Sequence, residues 1–354
     1  MERILAINPG ATSTKFAVFD GEKQLMKNTL EHQGADLMNF DRVCDQYLYR
    51  LDLILAELTA AAIPLETLNA VVARGGLLKS VAGGTYAVNE LMVEDLKKAE
   101  RGEHASNLGP VIANTLAKQL GIPAYIVDPV SVDEMEPVAR LSGLPDLPRI
   151  SLSHALNSKA VARSVVSQMG KKYDEVNFVV AHLGTGFSVS PHKNGRMIDV
   201  NNAQEEGPFS PDRCGGVPSR QLAKLCYSGK YTEKQMLDKI SGSGGMFAYI
   251  GTKDARQAEA AAAAGDMQAN LVLDAMAYQV AKQIGAMAAV LAGKVDRIIL
   301  TGGIAHSERI VKAISNRVEF IAPVVVVPGE EELESLAAGA LRVLRGEEKA
   351  QTYQ

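Results

Sequence analysis

One local pattern occurs twice in this chain, the second copy about half its length after the first. Residues 3–8 read as a buried strand and Pro9-Gly10-Ala11-Thr12-Ser13-Thr14 as a polar turn. Residues 15–19 form a second strand, closed by Asp20-Gly21. The same order returns in residues 177–181, His182-Leu183-Gly184-Thr185-Gly186 and residues 187–190, with a further hairpin turn at Lys193-Asn194-Gly195-Arg196 and a strand over 197–200. A repeat on this scale predicts duplication of one supersecondary unit. Between and beyond the copies, the pattern predicts helices over 36–62, 107–120, 154–169 and 332–344 and from about 307. Residues 217–240 and 253–292 read as mostly helical, and 71–73, 124–127, 297–301 and 324–327 as short strands. Hairpins mixed with crossover helices predict an α/β chain with mixed sheets.

Pro137, Pro145 and Pro148, with Gly143 among them, interrupt the pattern and place a domain boundary near residue 150. The expected division is 1–149 plus the C-terminal helix at about 336–354 for one domain, and 150–335 for the other. A length of 354 residues is enough for two such cores. With 37 Lys and Arg against 41 Asp and Glu, a net charge of -4 and no Trp, the chain is a poor nucleic-acid binder. Cys44, Cys214 and Cys226 show neither a disulfide framework nor metal-ligand spacing, so they read as buried or idle thiols of a reducing compartment. The apolar run 4–7 is too short for a signal peptide. The stretch 271–291 carries Asp274 and Lys282, which a membrane span would exclude. It reads either as core or as a subunit contact, and the expected location is cytoplasmic.

Three turns offer room for an anion. Asn8 to Lys15 is not a P-loop, because Thr14 stands before Lys15 and a strand follows; it offers backbone N–H groups and hydroxyls, or is an ordinary polar hairpin. His182 to Gly186 likewise runs into a strand, which argues against a dinucleotide fold and for a second phosphate-facing hairpin. His182 is alternatively a hydrogen-bonded core histidine. Thr301-Gly302-Gly303 suits either close approach of a ligand or tight strand–helix packing. Arg74, His104, Asp128, His154 and Arg213 all stand at element ends in glycine- or proline-rich surroundings, where sites concentrate.

Taken together, these residues resemble the acetokinase family, within the acetate kinase, sugar kinase and actin superfamily. The resemblance spans essentially the whole chain and is carried by Ile7–Lys15, Ala73–Leu77, Gly102–Gly109, Val127–Pro129, Asp199–Asn202 and Gly302–Ile304. It implies two duplicated actin-like (ribonuclease H-like) domains, mixed sheets flanked by helices, and a central nucleotide cleft. It also implies reversible phosphoryl transfer between ATP and a short carboxylic acid, butyrate by the closest motifs, with Mg²⁺. A kinase for another short or branched acid, a sugar kinase and a non-catalytic ATP-binding module are the alternatives. By the same resemblance Asn8, Thr12, Ser13, Thr14 and Lys15 match the first phosphate hairpin, and His182, Gly184, Thr185 and Gly186 the second. His104, His154 and Arg213 match groups around the transferred phosphoryl. Val71 stands where acetate kinases carry their strand arginine, and Arg74 is expected to substitute for that carboxylate- or phosphate-binding arginine from a shifted position. Asp254, Arg256, Gly302 and Gly303 match the adenosine segments. Asn8, Asp128 and Glu332 match the metal-associated residues, with Glu330 and Glu331 leaving the register of the last one open. The family pattern departs at three places. Arg74 stands where acetate kinases carry His, Ser153 where they carry Phe, and Thr185 where they carry Asn. The smaller Ser153 leaves room for a longer acyl chain. A homo-oligomer is implied as well, with a small carboxylate and a nucleotide as the binding partners and no nucleic acid or membrane.

Overall fold

The computed structural model describes residues 2–354. In chain order the strands and helices begin β1 (Arg3–Pro9), β2 (Ser13–Asp20), β3 (Lys23–Glu31), α1 (Gly34–Leu37), α2 (Tyr47–Ala60), β4 (Ala70–Arg74), β5 (Thr85–Ala87), α3 (Glu90–Lys98), α4 (Leu108–Leu120) and β6 (Ala124–Val127). They continue α5 (Ala155–Gln168), β7 (Asn177–Leu183), β8 (Phe187–Lys193), β9 (Arg196–Met197), α6 (Ser219–Cys226), α7 (Glu233–Ile240), α8 (Gly245–Ile250), α9 (Ala255–Ala263) and α10 (Met267–Val290). The last are β10 (Arg297–Gly302), α11 (Glu308–Val318), β11 (Val324–Pro328), α12 (Glu332–Leu344) and β12 (Gln351–Thr352). The chain divides into two compact units, the first running to Val132 and resuming at Glu331, the second running from Asp133 to Glu330. Residues 133–149 thus belong with the second unit, and all of α12 with the first.

The first unit holds a seven-stranded sheet in the order β12-β5-β6-β4-β1-β2-β3. β1 is antiparallel to β2 and parallel to β4, and β4 is parallel to β6. Ile4 to Ile7 are all fully buried, as expected for a strand covered on both faces. Alternation then sorts the side chains. Leu5, Ile7, Val71 and Ala73 join Leu108 and Ile112 of α4 in one core cluster. Asn8 and Arg74 fall on the other side of the sheet, by the period of two. α12 packs against β1, β4 and β6.

In the second unit a five-stranded sheet has the order β11-β10-β7-β8-β9. Its pairings are parallel for β11–β10 and β10–β7, and antiparallel for β7–β8 and β8–β9. This is the order and sense of β6-β4-β1-β2-β3, so the repeat read from the two turns extends over five strands of each sheet. Val179, Ala181 and Leu183 pack into the α10 cluster. Phe178 and Val180 pack instead against Val161, Val165 and Val166 of α5. His182 continues the second series, toward α5.

Several expected elements come out differently. The helix over 36–62 is broken: after α1 the chain is irregular, with a 3-10 turn over Val43–Gln46 before α2 begins. Arg42 causes part of this, because its guanidinium binds the Lys97 and Lys98 carbonyls and the Glu103 carboxylate. The strand over 197–200 ends at Met197, since Asp199 turns to accept from Arg149 instead. Gly265, at φ +99°, and the Asp266 cap split 253–292 into α9 and α10. β3, β5, α3, α8 and β12 match no element expected from the sequence. One face of the 271–291 stretch is core, including Val272, Met276, Val280 and Ile284, whereas Leu271, Tyr278 and Val290 are exposed. Among the described residues, no helix is long and apolar enough to cross a membrane.

Candidate functional site

The first unit brings Asn8, Arg74 and Glu332 together. Asn8 is the penultimate residue of β1 and Arg74 ends β4, both on the side of the sheet where Glu332 opens α12. Asn8 Nδ2 donates to Glu332 Oε2, and Arg74 Nη1 lies 2.8 Å from Glu332 Oε1. This separates Glu332 from its acidic neighbours, because Glu330 lies in the other unit against His182 and Glu331 is the N-cap residue of α12. Asp128 follows β6 at φ +39°, 1% exposed, and accepts from the Gly84 N–H at 2.7 Å. His104 caps the turn before α4, its Nδ1 2.7 Å from Ser106 Oγ. Desolvation, and then the Arg74 charge, hold its pKa below the ordinary histidine value.

In the first hairpin the expected residues divide. Thr12 is exposed, Ser13 half-buried, and Lys15 exposed opposite Asn8 in the β1–β2 register. Thr14 is fully buried, and its hydroxyl is occupied by His32 Nε2 at 2.8 Å and Arg50 Nη1 at 3.1 Å. It therefore supports the turn from below rather than facing a ligand. Arg50 and His32 escape the sequence reading. The signal for Arg50 was a cation in the stripe Arg50, Leu51, Ile54, Leu58, all buried on α2.

The second unit builds its half around His182. That ring stacks on His154 with centroids 3.9 Å apart and planes 12° apart. His154 Nδ1 is 3.0 Å from Ser188 Oγ, and His182 Nδ1 is 2.8 Å from Asn157 Oδ1. Asn157 stands three residues after His154, one turn along the same helix face. Glu330 Oε1 lies 3.0 Å from His182 Nε2. Ser153, beside His154, is 6% exposed with no hydrogen-bond partner for its hydroxyl. Gly184, Thr185 and Gly186 form the β7–β8 turn, where the Thr185 carbonyl accepts from Ser210 Oγ. A Cβ on Gly186 would sit 2.1 Å from Arg213 Nη1, so glycine is what lets the guanidinium cross the turn. Arg213 also donates to the Ala203 carbonyl at 3.1 Å. Burial lowers its pKa, with Asp212 opposing that shift.

A cavity of about 930 Å³ opens beside this turn, lined among others by Thr185, Lys253, Asp254, Arg256, Glu259 and Gly303. Asp254 caps α9 and holds Arg256 through both carboxylate oxygens. Those bonds, the side-chain one first, lower the Asp254 pKa to about 2. Gly303 lines the cavity; Gly302 does not. At φ +91° Gly302 lies so close to β7 that a Cβ would be 2.5 Å from the Leu183 carbonyl oxygen. Its absent side chain serves strand packing. Glu259 and His306 on the cavity wall had no motif to announce them.

Asn8 and Glu332 present amide and carboxylate oxygens, the donors that Mg²⁺ takes. Asn8 Oδ1 is buried without a hydrogen-bond partner, which leaves an oxygen available for a cation or its water. Among the described residues no three His, Cys, Asp or Glu side chains converge.

Two sheets with one shared strand order, each with a polar turn joining a central hairpin, define the duplicated actin-like class of α/β proteins. The comparisons with known proteins narrow this. A model of the acetokinase family matches residues 152–326. The chain is 52% identical to butyrate kinase 1 of Clostridium acetobutylicum, across 100% of both chains. It is 53% identical to butyrate kinase 2 of the same organism, across 99% of each. Acetate kinase from Porphyromonas gingivalis has the same fold, with a TM-score of 0.82 at 20% identity over 97% of this chain and 100% of that one. The chain belongs to the acetokinase family.

Proposed function

We propose that the chain is a carboxylate kinase that transfers a phosphoryl group reversibly between ATP and butyrate, giving butyryl phosphate and ADP. The observation that supports this best is the 52% identity to butyrate kinase 1 over the full length of both chains. A butyrate carboxylate oxygen attacks the γ-phosphorus, the bond from that phosphorus to the β–γ bridging oxygen breaks, and ADP leaves with the electron pair. A carboxylate is already an anionic nucleophile, so no general base is needed. The difficulty is bringing one anion up to another, and positioning with charge neutralisation supplies most of the catalysis.

In this reading Arg74 holds the carboxylate, released from Glu332 when substrate arrives. Arg213, His104 and His154 face the phosphoryl oxygens in flight. Thr12, Ser13 and Lys15, with His182 and the Gly184–Gly186 turn, hold the phosphate chain. The cavity beside Asp254, Arg256 and Gly303 takes the adenosine. Asn8, Asp128 and Glu332 would hold Mg²⁺, directly or through water. When bound, the ion offsets phosphate charge and fixes the phosphate geometry. The buried, unpartnered Ser153 leaves space for the acyl chain. The family resemblance also favours a cytoplasmic homo-oligomer, a state that sedimentation of the purified chain would read.

Trapping of the acyl phosphate with hydroxylamine, in ATP with acetate, propionate, butyrate or isobutyrate, tests the reading. The highest kcat/KM is expected for butyrate, and Ser153→Phe should shift the preference toward acetate. No hydroxamate from any acid would refute the assignment, and a uniform response of Ser153→Phe to all four acids would refute the role of Ser153.

A further inference from the structure

Arg50 is 1% exposed, and no carboxylate pairs with it among the described residues. A buried cation of this kind persists only where hydrogen bonds replace its lost water. Those bonds converge on one turn. Nη1 donates to the Gly10 carbonyl at 2.8 Å, the Ser13 carbonyl at 3.1 Å and Thr14 Oγ1 at 3.1 Å. Nη2 donates to the Ala11 carbonyl at 3.3 Å and to Gln46 Oε1 at 2.8 Å, and Nε donates to the same Gln46 oxygen at 3.2 Å.

The consequence lies on the opposite side of the peptide planes. Every described peptide bond is trans, so each N–H points away from the carbonyl that precedes it. With the Gly10 and Ala11 carbonyls drawn to Arg50, the N–H groups of Ala11 and Thr12 turn away from it. Both residues are exposed, and among the described residues neither N–H donates to another group. Two adjacent outward N–H groups form an anion cradle, and here a fixed positive charge stands behind the same two peptides. Burial lowers the guanidinium pKa only to about 10, so the charge persists at neutral pH.

We infer that Arg50 is a positioning residue: it holds the carbonyls of Gly10, Ala11 and Ser13 so that the Ala11 and Thr12 N–H groups receive a phosphate of the nucleotide. This rests on the kinase reading above, which places a phosphate at the first hairpin, and adds to it a residue that never touches substrate.

Calorimetric binding of MgATP and of adenosine, each to the wild-type chain and to Arg50→Met, tests the inference. The expected result is that Arg50→Met loses MgATP affinity by about tenfold while adenosine affinity stays within about twofold. Arg50→Lys, which keeps the charge but loses the fork, should fall between the two. Equal losses for both ligands, or none for either, overturns the inference. Should Arg50→Met fail to fold, Gln46→Met, which removes only the clamp on the far edge of the guanidinium, must still weaken MgATP more than adenosine; if it does not, the inference fails. A wild-type chain that binds MgATP but forms no butyryl phosphate would refute the butyrate reading, and the affinity ratios would still decide the role of Arg50.

Discussion

At the scale of single residues, two arginines with different surroundings should give different kinetic signatures. Arg213 crosses the second hairpin over Gly186 and binds the Ala203 carbonyl, so its guanidinium is fixed before any ligand arrives. An arginine held in this way on a transferring phosphoryl is worth about 10³ or more in rate. Arg213→Ala is therefore expected to lower kcat by roughly that factor, with KM for butyrate nearly unchanged. Arg74 is paired with Glu332 and is expected to act through binding, so Arg74→Ala should raise KM for butyrate by at least about tenfold. Steady-state kinetics of both variants would expose a wrong assignment, since equal effects on both constants in both variants fit neither role. Residues of this kind were readable from sequence because they stand in motifs. Arg50, Asn157 and Glu259 were not, because each acts through a partner distant in sequence: Arg50 through the 10–14 turn, Asn157 through His182, and Glu259 across the cavity through the Ser307 hydroxyl.

At the scale of elements, one tight constraint is how close β10 runs to β7. Gly302 combines φ +91° with space for nothing larger than hydrogen against the Leu183 backbone. Gly302→Ala should cost about 2–4 kcal/mol, from conformational strain and displaced backbone. Thermal denaturation would read this as a lower Tm, and an unchanged Tm would mean that the strand pair relaxes freely. Strands β1, β6, β7 and β10 were readable as apolar runs ending in Asn8, Asp128, His182 and Gly302, and α12 as a clean amphipathic stretch. β5 and β12 were not, because three and two residues carry no period; β5 is held by pairing with β6 and β12, contacts remote in sequence. The 36–62 segment misled for the opposite reason. Its helical period is genuine, but the tertiary bonds of Arg42 override it.

For the whole molecule, two buried histidines set the acid limb of stability. Burial first, and then the Arg50 charge, lower the His32 pKa to about 4. His192, fully buried, is lowered well below its usual value by burial and then by the Lys159 and Arg163 charges. Both pKa values lie below those of the unfolded chain, which therefore binds more protons as pH falls through 6.5. Stability present above pH 6.5 should be lost progressively toward pH 4. Urea midpoints at pH 7.5 and 5.0 would show this, and His32→Gln should reduce the difference between them. A midpoint that rises on acidification would contradict the assignment. The repeat of five strands was foreshadowed by two glycine turns, whereas the division of the chain after Val132 was not, because no proline or glycine cluster marks it.

The central claim is that ATP and butyrate exchange one phosphoryl group on this chain. Phosphorus NMR of the purified protein with MgATP and butyrate tests it directly. Butyryl phosphate and ADP should appear in equal amounts, only when butyrate is present, and added ADP should drive the reaction back to ATP. Release of inorganic phosphate without any acyl phosphate, or ATP left intact in the presence of butyrate, would contradict the account.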